Sequence, residues 1–330
     1  MLVALLLPRL TNATPPLFSL FLSKRRKSPM LFYILQILAF LFVMTRASAL
    51  LNQHLFKFKV RKNLKKSPVV PGTARRYGLV EVQGPWDMED RALVVPRVFN
   101  SSPASTLYGV FDGHHGSSAS QFCVDHLGRY VSSNLSSAKA FKEGIVTAFR
   151  ELDAEYCAKD ESHSGCTACV VLMNDNTITV ANTGDSRAIL VSEPTPNDIR
   201  AIALSTDHKP DRLDERERIA KAGGTVSHWG VWRVEGVLAM SRAIGDKSLK
   251  KYVIPDPDIT TRELKNGDKF VVVATDGVWD LLRNDEVAQM CAPFVDPDDA
   301  AMKIMNEIIA RGIVDNTTVV VIDVKTPNSS

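Results

Sequence analysis

Several strand-like apolar runs in this chain stop or start on an aspartate, and that pattern limits the folds it can adopt. The run "YGVFDGHHG" (Tyr108–Gly116) breaks at Asp112-Gly113, and "TITVANTGDSR" closes on Gly184-Asp185. "KFVVVATDGVWD" closes on Asp276-Gly277 with Asp280 four residues on, and "GIVDNTTVVVIDV" opens directly after Asp315. Upstream, "WDMEDRALVV" sets Glu89 and Asp90 at the mouth of another run. One Asp-Gly is ordinary turn chemistry. Several carboxylates gathered at one end of a packed sheet would be costly unless something neutralised them. Divalent cations do so, and an all-oxygen donor set favours Mg²⁺ or Mn²⁺ over zinc. The glycine after Asp112 leaves a carbonyl free to approach a metal.

Charge supports the same reading. The chain carries 40 basic and 37 acidic residues, but residues 1–80 hold fourteen Lys and Arg and no acid. The remaining 250 residues set 26 basic against 37 acidic side chains, a balance of −11. An acidic body argues against nucleic acid as partner. Five cysteines do not suggest a disulfide framework. Cys166 and Cys169 have no second pair for a zinc site and read as strand residues facing opposite sides. The Cys-x5-Arg spacing of Cys123–Arg129 lacks a glycine-rich phosphate cradle and falls on an apolar helix face, so no thiolate nucleophile is expected there.

The acid-free segment 1–66 is expected to be a separate region. "KRRK" (Lys24–Lys27) precedes "MLFYILQILAFLFVM" (Met30–Met44), an apolar run short of the roughly 20 residues a span needs unless it continues towards Leu51. A signal-anchor, a cleaved signal peptide and an organelle transit peptide are the competing readings. Asn316 heads a glycosylation sequon beside Asp315, where a glycan would obstruct a metal site. The expectation is a membrane-associated protein with residues 67–330 facing the cytosol, the alternative being import into a mitochondrion or plastid. Within that body, Ala119, Phe122, Cys123, His126, Leu127, Tyr130 and Val131 share one helical face. Phe141, Ile145, Ala148, Phe149, Leu152 and Tyr156 share another.

The segments "MED" (Met88–Asp90), "VFDGHHG", "GCTA", "VANTGDSRAIL", "LSTDHKPDRLDERERIAKAGG", "GVLAMSRAIGD", "VIPDPDIT", "ATDGVWDLL" and "DNTTVVV" occur in an order that resembles the metal-dependent type 2C (PPM) protein phosphatases over roughly Tyr77–Val324. The resemblance implies an α+β fold of four αββα layers: a β-sandwich of two antiparallel sheets flanked by helices. It implies two Mg²⁺ or Mn²⁺ ions per subunit, with a weaker third. The activity implied is hydrolysis of phosphoserine and phosphothreonine in phosphorylated proteins by hydroxide bridging the metals, without a phospho-enzyme. Position by position, Asp112 resembles the carboxylate bridging both metals and Gly113 the carbonyl ligand. Asp276 and Asp315 resemble ligands of one metal, Glu89 a ligand of the other with Asp90 in its outer shell, and Asp185 and Asp280 the third-metal positions. His114 resembles the general acid. Gly224–Gly236 resembles a flap, whose Trp229 and Trp232 are read as anchors to the body, the alternative being contact with substrate or partners.

One departure stands out. Relatives carry an Arg or Lys shortly before "MED" that grips the substrate phosphate, whereas this chain reads "QGPWDMED". Arg75, Arg76 and Arg91 are candidate substitutes. His115 also stands where small residues are common. A catalytically weak pseudophosphatase acting as a binding module is the alternative reading, and a two-metal phosphodiesterase a more distant one. The protein is expected to be a monomer.

Overall fold

The computed structural model divides into a unit over Met1–Lys59 and one over Val60–Ser330. It describes residues 65–66, 75–99, 105–137, 141–159 and 163–325. The expected anchor at residues 30–51 lies outside the described residues. Among those that are described, no helix is long and apolar enough to cross a membrane.

Two antiparallel sheets form the centre. One orders Lys65–Lys66, Tyr77–Val82, Thr317–Asp323, Asp268–Ala274, Arg187–Ser192 and Arg200–Ala203. The other orders Asp258–Glu263, Thr177–Thr183, Ala168–Asn174, Thr106–Phe111 and Arg91–Pro96. Ordered pairing begins early: Lys65 and Lys66, at the end of the basic stretch, pair with Glu81 and Val80.

Strand periodicity builds the layers, because successive side chains leave opposite faces of a strand. From Thr106–Phe111, Tyr108 and Val110 enter the core between the sheets with Val271, Val273, Val320 and Ile322. Their neighbours Leu107 and Phe111 face the other way, into a core built with the helices. The same alternation puts Cys169 and Val171 between the sheets and Val170 and Leu172 under the helices. Cys166 lies in the helix-facing core and Cys169 in the inter-sheet core, as their strand spacing suggests.

The helices covering that second sheet are Ser118–Ser137 and Phe141–Lys159. Ala119, Cys123, Leu127 and Val131 of the first are buried, and so are Ile145, Ala148, Phe149, Leu152 and Tyr156 of the second. Phe141 departs from the expected face. It is the first residue of its helix and remains exposed. Asn284–Cys291 and Pro297–Arg311 pack on the outer face of the first sheet. This completes four αββα layers.

The segment expected to be a flap forms a hairpin of Val226–Trp229 and Val231–Val234. A small cluster of Ile219, Val234, Leu238, Ala243 and Val253 anchors it. The tryptophans do not share that task. Trp229 is 77% exposed, so the anchor reading fails for it: it sits beside the Gly230 turn, past the reach of the cluster. Trp232 is half-buried and packs on the hairpin's own His228, with the Arg216 guanidinium over its ring.

Candidate metal centre

The strand ends place the predicted carboxylates at one end of the sandwich. Asp112 follows directly on Thr106–Phe111, and its backbone is pinned twice. Its N–H donates to Thr167 Oγ1 (3.0 Å), and its carbonyl accepts the Thr167 N–H (2.9 Å). Thr167 Oγ1 in turn shares a hydrogen bond with Ser186 Oγ (2.7 Å) beside Asp185. With the backbone fixed, the Asp112 side chain is committed to the cleft.

There it meets other acids. The Asp112 carboxyl is held well above the usual range, first by burial and then by the facing charges of Asp276, Asp90 and Asp185. Asp276 is pushed up to about 8 by burial and by Asp185 and Asp280, although a hydrogen bond with Asp112 opposes the shift. Asp90 is pushed up to about 7, burial leading; Thr275 Oγ1 donates to its Oδ2 (2.8 Å) and offsets part of that. Asp280 and Asp315 are also raised by burial. Asp315 feels Asp280, Glu89 and Asp185, so all seven predicted side-chain ligands lie in one field. Depth differs among them: Asp90 and Asp185 are buried, Asp112 and Asp276 intermediate, and Asp280 and Asp315 open to solvent.

The approach of Gly113 to Glu89 requires glycine. A Cβ on residue 113 would lie 2.5 Å from the Glu89 carbonyl oxygen and 3.0 Å from Ser120 Oγ. Ser120 Oγ donates to that carbonyl (2.6 Å), and Glu89 Oε1 accepts the Gly116 N–H (2.7 Å). Glu89 is thereby tied to the loop that follows Asp112.

Two functional side chains escaped the sequence reading. Lys209 is the first. Burial alone would lower its ammonium, but Asp185, which it pairs with, and the more distant Asp276 and Asp280 raise it. The second is Asp246, which lies 2.9 Å from His114 Nε2 through both carboxylate oxygens. Each stands inside a motif already noticed ("DHKP" and "SRAIGD"), and that membership was the signal available.

The candidate substitutes for the phosphate-gripping base are committed elsewhere. Arg75 is buried and donates to the carbonyls of Val324 and Asp175. Arg76 pairs with Asp323 (2.6 Å), at the opposite end of its strand from Thr317. Arg91 donates to the carbonyls of Met88 (2.9 Å) and Asp90 (2.8 Å) and to Gln121 Oε1 (3.0 Å), so it braces the "MED" turn from beneath. In the stretch just before "MED", Trp86 stands 71% exposed. Its loop is clamped by Asn316, whose Oδ1 accepts the Gly84 N–H (2.9 Å) and whose Nδ2 donates to the Asp87 carbonyl (2.6 Å).

The donor set fits divalent cations. Asp90 Oδ1 and Asp185 Oδ1 are buried oxygens with no hydrogen-bond partner, which is costly unless a cation faces them. Carboxylates and a free backbone carbonyl are hard oxygen donors. Glu89, Asp112, Gly113, Asp276 and Asp315 would hold the metals.

The protein phosphatase 2C family profile matches residues 83–317. The chain belongs to that family. Probable protein phosphatase 2C 69 of Arabidopsis thaliana is 41% identical over 219 residues, covering 66% of this chain and 60% of the relative. Probable protein phosphatase 2C 45 of Oryza sativa subsp. japonica is 40% identical over 218 residues, covering 66% of this chain and 76% of the relative. The chain thus matches less than two thirds of the Arabidopsis protein. Among solved structures, serine-threonine phosphatase 2C from Toxoplasma gondii aligns with a TM-score of 0.67 at 21% identity, covering 79% of this chain and 98% of that one. A C. elegans sex determining protein aligns with a TM-score of 0.69 at 24% identity, covering 77% and 66%. These two likenesses concern the fold. Family members are metal-dependent, generally on Mg²⁺ or Mn²⁺.

Proposed function

We propose that the protein is a Mg²⁺/Mn²⁺-dependent phosphatase acting on phosphoserine and phosphothreonine in proteins. The observation that carries this reading is the knot of mutually repelling carboxylates with two orphaned buried oxygens. Two hard cations, with a weaker third, would supply a nucleophile at neutral pH and a clamp on the phosphoryl oxygens. Asp112, Gly113, Glu89, Asp276 and Asp315 would bind and space those cations, and Asp90 holds the "MED" turn to the strand end at Thr275. Lys209 pairs with Asp185 and would compete with a cation there, in keeping with a weaker third position.

His114 gives the leaving alkoxide its proton. Asp246, 2.9 Å from Nε2, orients the imidazole. With no base in the stretch just before "MED", the substrate phosphate would depend on the cations, and the exposed Trp86 would offer an apolar face to the residues flanking it. The intact carboxylate set favours an enzyme over the pseudophosphatase reading. The apolar run at 30–44 supports attachment of a monomer to a membrane. Asn316 is buried with both amide atoms engaged, which disfavours a glycosylated, lumenal placement and supports one facing the cytosol or an organelle interior.

The test is Mn²⁺-dependent release of phosphate from a phosphothreonine peptide, with EDTA as control. Release above the EDTA level supports the enzyme; none, in a protein that binds the peptide, returns the pseudophosphatase. His114→Ala should slow alkyl phosphates more than aryl phosphates, and equal losses would remove the proton-donor role.

A further inference from the structure

His114, His115 and Asp246 offer donor atoms that all lie within 4.8 Å of one another. Among the described residues this is the group of potential ligands drawn that tightly; the carboxylate knot is looser. The chemistry differs as well. Two imidazoles and one carboxylate form a borderline nitrogen–oxygen set, suited to zinc rather than to Mg²⁺ or Mn²⁺.

We propose that His114, His115 and Asp246 form a separate, inhibitory Zn²⁺ site at the lip of the metal centre. Asp246 is buried and already lies 2.9 Å from His114 Nε2, while the other ring nitrogen of His114 is buried without a partner. His115 is exposed, and its ring meets that of His114 edge to face at 5.5 Å. Tetrahedral zinc with bonds of about 2.0–2.1 Å needs ligand atoms about 3.4 Å apart. The exposed His115 side chain can rotate to close that gap, and water takes the fourth position. His115 holds a φ of +57°, a conformation that residues other than glycine adopt only at a cost.

Binding stands independently of the proposed hydrolysis; inhibition rests on it. Zinc at this site takes the imidazole of His114 and the carboxylate of Asp246 out of proton transfer. The ions in the carboxylate knot are left in place.

The test uses the full chain with saturating Mg²⁺, titrated with ZnCl₂ by calorimetry and with Co²⁺ by visible absorption. His115→Gly and His115→Asn are compared with the parent, since both residues accept a positive φ. The parent should bind one Zn²⁺ that both variants lose, and its cobalt spectrum should show tetrahedral nitrogen–oxygen bands absent from theirs. Rates without zinc should match. Zinc should inhibit the variants at least about 10-fold more weakly, since even outer-shell changes cost that much in metal affinity. Equal zinc uptake in parent and variants would place the ion in the carboxylates and overturn the proposal. No uptake at all would overturn it too. Because uptake is read without turnover, a chain that binds zinc but releases no phosphate would refute the phosphatase reading alone.

Discussion

Two groups of acids sit within one fold, and they solve the same problem in opposite ways. Glu215 is 1% exposed, as deep as Asp90 or Asp185. Burial pushes its carboxyl up, but hydrogen bonds from Arg242, Arg218 and Ser241 outweigh that and bring it down to about 2. Neighbouring Asp258 is held below its ordinary range chiefly by His208, with Arg242 and Arg212 helping. Every charge there has a protein counter-charge. At the strand ends, Asp112, Asp276 and Asp90 face one another and are displaced upward, and Lys209 is the cation among them. A fully compensated acid cluster is architecture, while an uncompensated one is a vessel for ions.

The sharpest test of this contrast is Asp276→Asn. It should bring Mn²⁺-dependent phosphate release below detection while leaving the melting temperature of the metal-free protein unchanged or higher, because it replaces a carboxyl that burial and its acidic neighbours make costly to ionise. A variant with near-normal turnover would break the comparison. Glu215→Ala should do the reverse: lose about 3 kcal/mol or more of stability in denaturant titration, by stranding Arg242 and Arg218, and bind metal normally once folded.

Third in size is Gly165→Ala. A Cβ there would meet Asp246 Oδ2 and come within 2.5 Å of His114 Nε2. It should lower kcat on alkyl phosphates by about 10²-fold, the scale of general acid catalysis, with a smaller loss on aryl phosphates. Acidity gives the fourth. Asp276 is raised from 3.8 to about 8 in the folded state, so between those values the native protein binds more protons than the unfolded chain. In EDTA, stability should therefore fall as pH rises from 5 to 8, and Mn²⁺ should restore more at pH 8 than at pH 5. Thermal melts at the two pH values with and without Mn²⁺ check the sign. The smallest effect is Lys209→Ala, which should tighten the weakest Mn²⁺ equivalent by no more than about fivefold, the worth of a part-exposed pair.

Legibility in the sequence followed the range of the interactions. The strand-end aspartates could be read because unbroken apolar runs and Asp-Gly breaks are local, and the buried faces of both long helices because Ala119 to Val131 and Ile145 to Tyr156 keep helical spacing. Asp246 was hidden as a partner because 132 positions separate it from His114. The fates of Arg75, Arg76 and Arg91 were equally out of reach: a long guanidinium stem takes whichever carbonyl or carboxylate the tertiary fold brings near. Trp229 misled for a related reason, since an aromatic at a hairpin tip looks the same in sequence whether it faces the body or water.

The short strands Gly113–His114, Gly165–Cys166 and Ile244–Gly245 form one small three-stranded sheet. Residues 112, 114 and 246 are all carried on it or directly beside it. On the proposed function, the cation ligand, the proton donor and the orienting acid would share this one ribbon, with a set gap between the ion bed and the imidazole. On that reading, groups leaving from phosphorus would be sorted by whether their oxygen spans the gap, whichever protein the rest of the surface recruits.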